Sequence, residues 1–540
     1  MIRARRLHNA RRLHKDLRGG SPDPPRRRYA CTAIARWVRR PTAQIAPTAQ
    51  IAPTAQIAPT AQIAPTAQIA PIAQIAPVAR RERGVVLVAV LVVAALVAII
   101  AAGLMFRVRA EVSASASGTR GEQAYEAALA GVGRAIAVLR VAPNDSTVWF
   151  DNPDIFQNQP VADDGANRWY FIVYGDPADP QLGIPRYGLT DEAGKVNLNV
   201  APIETLMNLP NMTSELVDCL LDFRDADSDT RSEGAEQDYY DHLESPYVIP
   251  NGPLETIEEL LMVKGFNARV IYGEDANLNG LLEPNEDDGD DSFPPDARDG
   301  HIDKGLRGVA TVVTSEPNQN KAGKARININ ADTPPGRVPG LSDKALQFIL
   351  LYRSEGNTFK HPSELLEMRY TLKQNHPELP IAKAGIEIDS DVKGEQLAAV
   401  LDELTTQPVD KAKPILGLVN VNTAPAEVLA ILPGMDPNMA QQIVDARRDL
   451  DAETKSSLAW LYTQNLLDAA AFKLVAPYLT TRSFQYSLRC VGFGVPCGRY
   501  RVLEAVVDIG GGAPRVIYLR DISRLGMPFA LNVESMERGR

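Results

Sequence analysis

The chain has 540 residues, of which 45% are hydrophobic and 23% charged, with a formal net charge of −10 and four cysteines. Four cysteines in that length exclude a dense disulfide scaffold. Sixteen Lys/Arg against three acids precede Val85, leaving about −23 for residues 85–540. That balance excludes nucleic acid and anionic lipid as natural partners of the main body and favours divalent cations.

Residues 1–83 do not read as a folded domain. Positions 1–40 are Arg-rich, and positions 41–76 repeat a six-residue PTAQIA unit broken only by Ile72. A Pro in every repeat blocks a continuous helix, so the expectation is a low-complexity leader or a misplaced translation start near Val78. Gly84 to Phe106 follows without a charged residue. At about 1.5 Å per residue it spans the ~30 Å hydrocarbon core of a bilayer, and it is longer than a cleaved signal core. Arg80, Arg81 and Arg83 flank its start, which predicts a cytoplasmic N-terminus and a translocated C-terminal part.

From 107 to 141 there is no proline, and Ala124, Ala128, Val132, Ile136 and Leu139 fall three or four apart. This predicts that the anchor continues as one helix of about 55 residues with a single apolar stripe. Residues 142–200 read as the first part of an α/β head, with strands at 147–150 and 169–174 and a hairpin turn at 191–194. Ile203 to Arg224 reads as two helices broken near Pro210.

A pattern then recurs at Val196-Asn197-Leu198-Asn199, Ile327-Asn328-Ile329-Asn330 and Val419-Asn420-Val421-Asn422. The alternating Asn side chains are expected to point away from the core. Pro202 and Pro425 suit first-turn positions of the helices that follow. The pattern divides the middle of the chain into helical units at 201–308, 309–413 and 414–482. Residues 483–529 read as a three-strand antiparallel meander, before a tail at 530–540. Strands on both sides of a helical insertion define the fold class as α+β, a sheet head with an inserted α-domain.

Asp275 to Glu286 fills the twelve-residue calcium-loop pattern. Asp275, Asn277 and Asn279 stand at positions 1, 3 and 5, Gly280 at the sharp turn, Leu281 offers its carbonyl, and Glu283 and Glu286 stand at 9 and 12. A second acidic cluster holds Asp225, Asp227, Asp229 and Glu236, with Asp222 ahead of it. Its spacing matches no single motif. Cys490 and Cys497 are candidates for a loop disulfide, and Cys219 reads as core. No histidine falls in a catalytic or zinc spacing, and His242, His301, His361 and His376 read as surface residues, so no catalytic residue is assigned.

Several of these motifs in this order, KVNLNVAP, the acidic run to AEQDYY, PLETIEELLMVKGF and VNVNTAPAEVLAILPGM, resemble the general secretion pathway protein K family. These are the minor pseudopilins K of type II secretion systems. The resemblance covers roughly Arg83 to Phe529. It implies a pilin-like anchor helix with an antiparallel sheet head, a large helix-hairpin-helix or SAM-like insertion, and structural calcium. It implies prepilin peptidase cleavage between Gly84 and Val85 with N-methylation of Val85, and no enzymatic activity. It also implies an inner-membrane, single-pass location with a periplasmic head, at the pseudopilus tip beside minor pseudopilins of the I and J type. Pseudopilins of the shaft carry Glu at the fifth mature position, where this chain has Ala89. The rival reading is a membrane-tethered helix-hairpin-helix DNA binder of the competence type. The acidic balance and Asp436-Pro437 beside the third hairpin oppose it.

Overall fold

The computed structural model describes residues 85–143, 145–177, 184–331, 336–376, 383–408 and 413–531. Gly84, the basic leader, the PTAQIA repeats and residues 532–540 lie outside the described residues.

Helix α1 runs unbroken from Val85 to Val141, 57 residues, as the sequence predicts. Its apolar segment, of mean hydropathy 3.1, is long enough to cross a membrane, and its large side chains from Val86 to Val112 are exposed. From Ala124 onward one stripe is buried: Ala124, Ala127, Ala128, Val132, Ala135 and Leu139. Four of these six are Ala, because the helix lies directly on the sheet. A Cβ at Gly131 would stand 2.2 Å from Cys490 Sγ, and one at Gly492 would stand 2.1 Å from the Ala124 carbonyl oxygen. Helix and sheet therefore approach through missing side chains, and the packing tolerates almost no added volume.

The sheet is antiparallel throughout. Its strands are β1 (Gln159–Asp163), β2 (Arg168–Tyr174), β3 (Thr190–Asp191), β4 (Gln485–Val495), β5 (Tyr500–Asp508) and β6 (Arg515–Asp521). The order is β1-β2-β4-β5-β6, with β3 paired to the start of β4. Cys490 sits opposite Val173 on one side and Leu503 on the other. Phe171, Val173, Leu488, Leu503, Ala505 and Val507 meet α1. The other face, with Ile172, Tyr174, Val491, Phe493 and Val502, is covered by Ile522, Met527, Phe529 and Leu531. Each such apolar side chain contributes roughly 1.5–3 kcal/mol on burial.

Three local expectations fail here. Residues 147–150 do not form a strand: Ser146–Trp149 is a helical turn. Asp145 Oδ1 caps it by accepting from the Thr147 amide at 3.1 Å, and the buried Trp149 indole donates to the Pro143 carbonyl. The turn at 191–194 is not a hairpin but a 3-10 turn, Glu192–Gly194, and it hands the chain from β3 to a helical unit. Cys490 and Cys497 are both free. Cys490 lies in mid-strand under Gly131 whereas Cys497 lies beyond the strand end near Trp169, so their backbones are too far apart to bridge.

Each Asn-x-Asn segment opens one helical unit and pairs, parallel, with the strand that closes it. Val196–Asn197 pairs with Ala310–Thr311, Ile327–Asn328 with Leu404–Thr405, and Val419–Asn420 with Leu479–Thr480. The correspondence reaches single atoms. Oδ1 of Asn197, Asn328 and Asn420 accepts the amide of the Asn two residues on, at 2.9, 2.8 and 3.0 Å. The residue between donates its amide to the carbonyl of Thr311, Thr405 or Thr480. A late-helix arginine, Arg224, Arg353 or Arg447, donates back to the carbonyls of Ala201, of Asn330, or of Val421 and Ala424. Each unit turns through a tight corner, at 209–211, 338–340 and 432–434, where Asn211, Gly340 and Gly434 have φ of 60°, 77° and 79°.

The Asn side chains thus do not point outward. Asn197 and Asn420 are 2% and 4% exposed, because the backbone they serve is itself buried. Pro202 and Pro425 occupy N-cap rather than first-turn positions. The closing strands at 311, 405 and 480 lie a few residues from the boundaries read from the sequence. The first and third units share one core. The middle unit has its own, built on Ile329, Phe348, Ile349, Phe359, Leu365 and Val400.

Candidate metal centres

The short helix Ala268–Tyr272 ends at Gly273, with φ of 62°, and releases the chain into the first acidic loop. The loop is wound by its own side chains. Asp275 Oδ1 and Oδ2 accept the amides of Asn279 and Gly280, both at 3.0 Å. Asn277 Oδ1 accepts the Asn279 amide at 2.9 Å, and Asn279 Oδ1 accepts that of Leu281 at 2.7 Å. Glu286 folds back so that its two oxygens take the amides of Ala276 and Glu283, each at 3.1 Å. Glu283 receives the amide nitrogens of Asn277 and Asn279 at 2.8 and 3.1 Å. Gly280, with φ of 72°, makes the turn.

Asp275, Asn279 and Glu286 are almost wholly buried. Burial, then the nearby Asp275 charge, pushes the Glu286 carboxyl up to about 7, and burial raises Asp275 as well. Buried acids crowded in this way are held at a cost that a bound cation offsets. The ligand set is all oxygen, which suits calcium rather than zinc. Pro284–Glu286 is a 3-10 turn, so no exit helix completes a paired sensor motif.

The second cluster closes at the end of helix Ser214–Arg224. Among the described residues, Asp225, Asp227 and Glu236 form the group of acid side chains with ligand oxygens all within 4.8 Å of one another. Both oxygens of Glu236, Oδ1 of Asp225, Oδ1 of Asp222 and Oδ1 of Asn251 are buried without a hydrogen-bond partner. Arg231 forms a loose ion pair with Asp222 Oδ1 at 3.4 Å and approaches Asp225 Oδ2 at 3.9 Å, without a hydrogen bond to the Oδ1 of either. Burial raises the carboxyls of Asp222, Asp225 and Glu236, and the neighbouring acids add to it. Asp225, Asp227 and Glu236 together offer the all-oxygen donor set that a hard cation takes.

Asp229 does not belong to this group: it is exposed, and its amide donates to Asp227 Oδ1 at 2.9 Å. Asn251 is the residue that sequence reasoning missed. Its side chain reaches back 24 residues to donate to the Asp227 carbonyl at 3.2 Å, and only an Asn-Gly turn signal marked it.

Other predicted positions resolve simply. Cys219 is buried core. His242 is exposed, whereas His361 is only half-exposed: burial, then Arg326, lowers its imidazole to about 4. In the third unit Asp436 accepts the Met439 amide at 2.9 Å, which takes the helix N-terminal donor that a phosphate would need.

Together these features define a class: a protein tethered by one apolar helix whose far half packs on an antiparallel sheet with an inserted helical region. Two family profiles, both for type II secretion system (T2SS) protein K, match residues 189–272 and 419–473. The first opens at Leu189 and takes in the second acidic cluster; the second spans most of the third helical unit. Over these two segments the chain matches the type II secretion system protein K family, which supports its reading as a minor pseudopilin of that system. Among solved structures it is similar to the GspK-GspI-GspJ complex of the enterotoxigenic Escherichia coli type 2 secretion system. That match has a TM-score of 0.31 and 14% identity, and covers 75% of this chain and 98% of the other. The low TM-score leaves the assignment resting on the two family profiles. No curated protein matches the chain.

Proposed function

We propose that this minor pseudopilin is a non-catalytic tip subunit of the pseudopilus, held in the inner membrane by α1 before assembly. In this reading the N-terminus is cytoplasmic and the head periplasmic. Prepilin peptidase cuts between Gly84 and Val85, and Val85 is N-methylated. The observation that carries the reading is α1 itself, one uninterrupted helix from Val85 through an exposed apolar segment onto the sheet. Ala89 supports a terminal place, because a buried carboxylate costs at least ~2.5–3.5 kcal/mol in lipid unless a neighbour pairs with it. The partners in this reading are minor pseudopilins of the I and J type and the subunits below them.

The inserted units act as helix-hairpin-helix modules used for packing rather than for nucleic acid, since Asp436 fills the phosphate position and the body is acidic. Calcium serves as structural cofactor at two places. Asp275, Asn277, Asn279, Glu283, Glu286 and the Leu281 carbonyl hold one ion; Asp225, Asp227 and Glu236, with Asp222 and Asn251, hold the other. Bound calcium neutralises carboxylates that otherwise oppose folding, and it stabilises the head by mass action. Mass spectrometry of the membrane-extracted protein tests the anchor reading. The expected N-terminus is methylated Val85, and recovery of Met1 or of a terminus after Ala116 overturns it.

A further inference from the structure

One side chain of the first calcium loop, Asn279, ties it to the segment that follows the last strand. Asn279 Oδ1 faces the loop interior, whereas its Nδ2 donates to the Pro528 carbonyl at 2.7 Å. Pro528 lies in the strap that follows the last strand and covers the sheet face opposite α1. Met527, Phe529 and Leu531 pack there on Ile172, Tyr174, Val491, Phe493 and Val502, and the Phe529 ring meets Tyr174 edge-on at 5.2 Å. Oδ1 and Nδ2 share one rigid amide plane, so whatever fixes the oxygen aims the nitrogen. On the loop's other flank, Gly280 lies against Pro177 and Asp176, which leaves no side chain's room between loop and head.

We propose that the Asp275–Glu286 loop is a calcium-dependent latch for the C-terminal strap at 526–531. The proposal rests on the calcium reading of that loop given above. With the ion present, Asn279 is held as a ligand with its Nδ2 on Pro528, and the strap stays down on the apolar face. Without it, Asp275, Glu283 and Glu286 repel one another, the loop loosens, and the strap loses its polar tether while keeping only its apolar contacts. Calcium level outside the cytoplasm then sets how often the Ile172–Tyr174–Phe493 face is uncovered.

Hydrogen exchange of the full chain in detergent, in calcium and in chelator, tests this. At free calcium ten times the dissociation constant, the amides of Met527 and Phe529 are expected to exchange about tenfold more slowly. Glu286→Gln abolishes that protection, and Glu236→Gln, at the other cluster, keeps it. Phe529→Ala touches no ligand, yet by reciprocity it weakens calcium binding at the loop. If calcium binds in a Glu286-dependent way while strap exchange and the Phe529→Ala affinity are unchanged, the latch is wrong and the calcium site stands. If no binding depends on Glu286, both fall.

Discussion

Asn420 Nδ2 donates to Asp191 Oδ2 at 3.1 Å across 229 residues of chain. The same carboxylate accepts the hydroxyls of Thr423 and Ser483 and the Ala193 amide. Next to it, Glu192 accepts from Thr311 and Ser487. Two adjacent residues where β3 passes into its turn therefore tie the third and first helical units to the head sheet. Asp191→Ala removes the shared acceptor of these four donors and is expected to cost about 3 kcal/mol or more. Urea denaturation reads the loss; a midpoint within error of wild type would mean that the turn is not the joint.

How much of this was legible in the sequence depends on the range of the cause. α1 and the meander are written in local periodicity, and the structure places them as read; the acidic loop at 275–286 is written in motif, and the structure winds it on its own side chains. The Asn-x-Asn segments were visible as a repeat, but their burial was not. Alternation alone says that Asn197 and Asn420 face water, whereas the carboxylates and carbonyls they serve come from more than a hundred residues away. Asn251 was missed because its turn signal says nothing of the Asp227 carbonyl it reaches 24 residues back. Ser146–Trp149 misled because the aromatic and β-branched residues of a strand were overruled by the Asp145 cap.

His361 predicts a pH dependence. Its imidazole is lowered to about 4 in the folded protein, below the ordinary value of 6.5, so the unfolded chain binds the proton more readily between those values. Stability is then full above pH 6.5 and falls as pH drops through 4, by about 2 kcal/mol at pH 5. His361→Asn keeps the cap on the Ser363 amide and should remove most of the difference between pH 5 and 7. An equally steep pH profile in the variant would point to another group.

Calcium binding should show two ions per chain. Glu286→Gln and Glu236→Gln each remove one, and the two losses are expected to be independent because the clusters share no ligand. The first loop is unpaired, which places its affinity in the range of roughly 10⁻⁴–10⁻³ M. Isothermal titration of the two single variants and the double variant checks this. A single ion lost in both single variants would merge the sites.

Gly492 makes a steric prediction. Its missing Cβ gives the α1 backbone room near Ala124 and Ala127, so Gly492→Val must push helix from sheet. The expected cost is about 1–3 kcal/mol or more, whereas the control Gly133→Ala, on the open side of α1, should be neutral to stabilising by up to about 1 kcal/mol. Thermal melts of the pair compare them directly; equal midpoints would contradict the contact.

The central claim is that this chain ends the filament, with α1 contacting subunits on one side only. Photo-cross-linkers placed one at a time along Val86–Phe106 in assembled pseudopili test it most directly. The account predicts cross-links to I- and J-type minor pseudopilins and to subunits below, from one end of each filament. Recovery of this protein repeatedly along the shaft, cross-linked to neighbours both above and below, would contradict it.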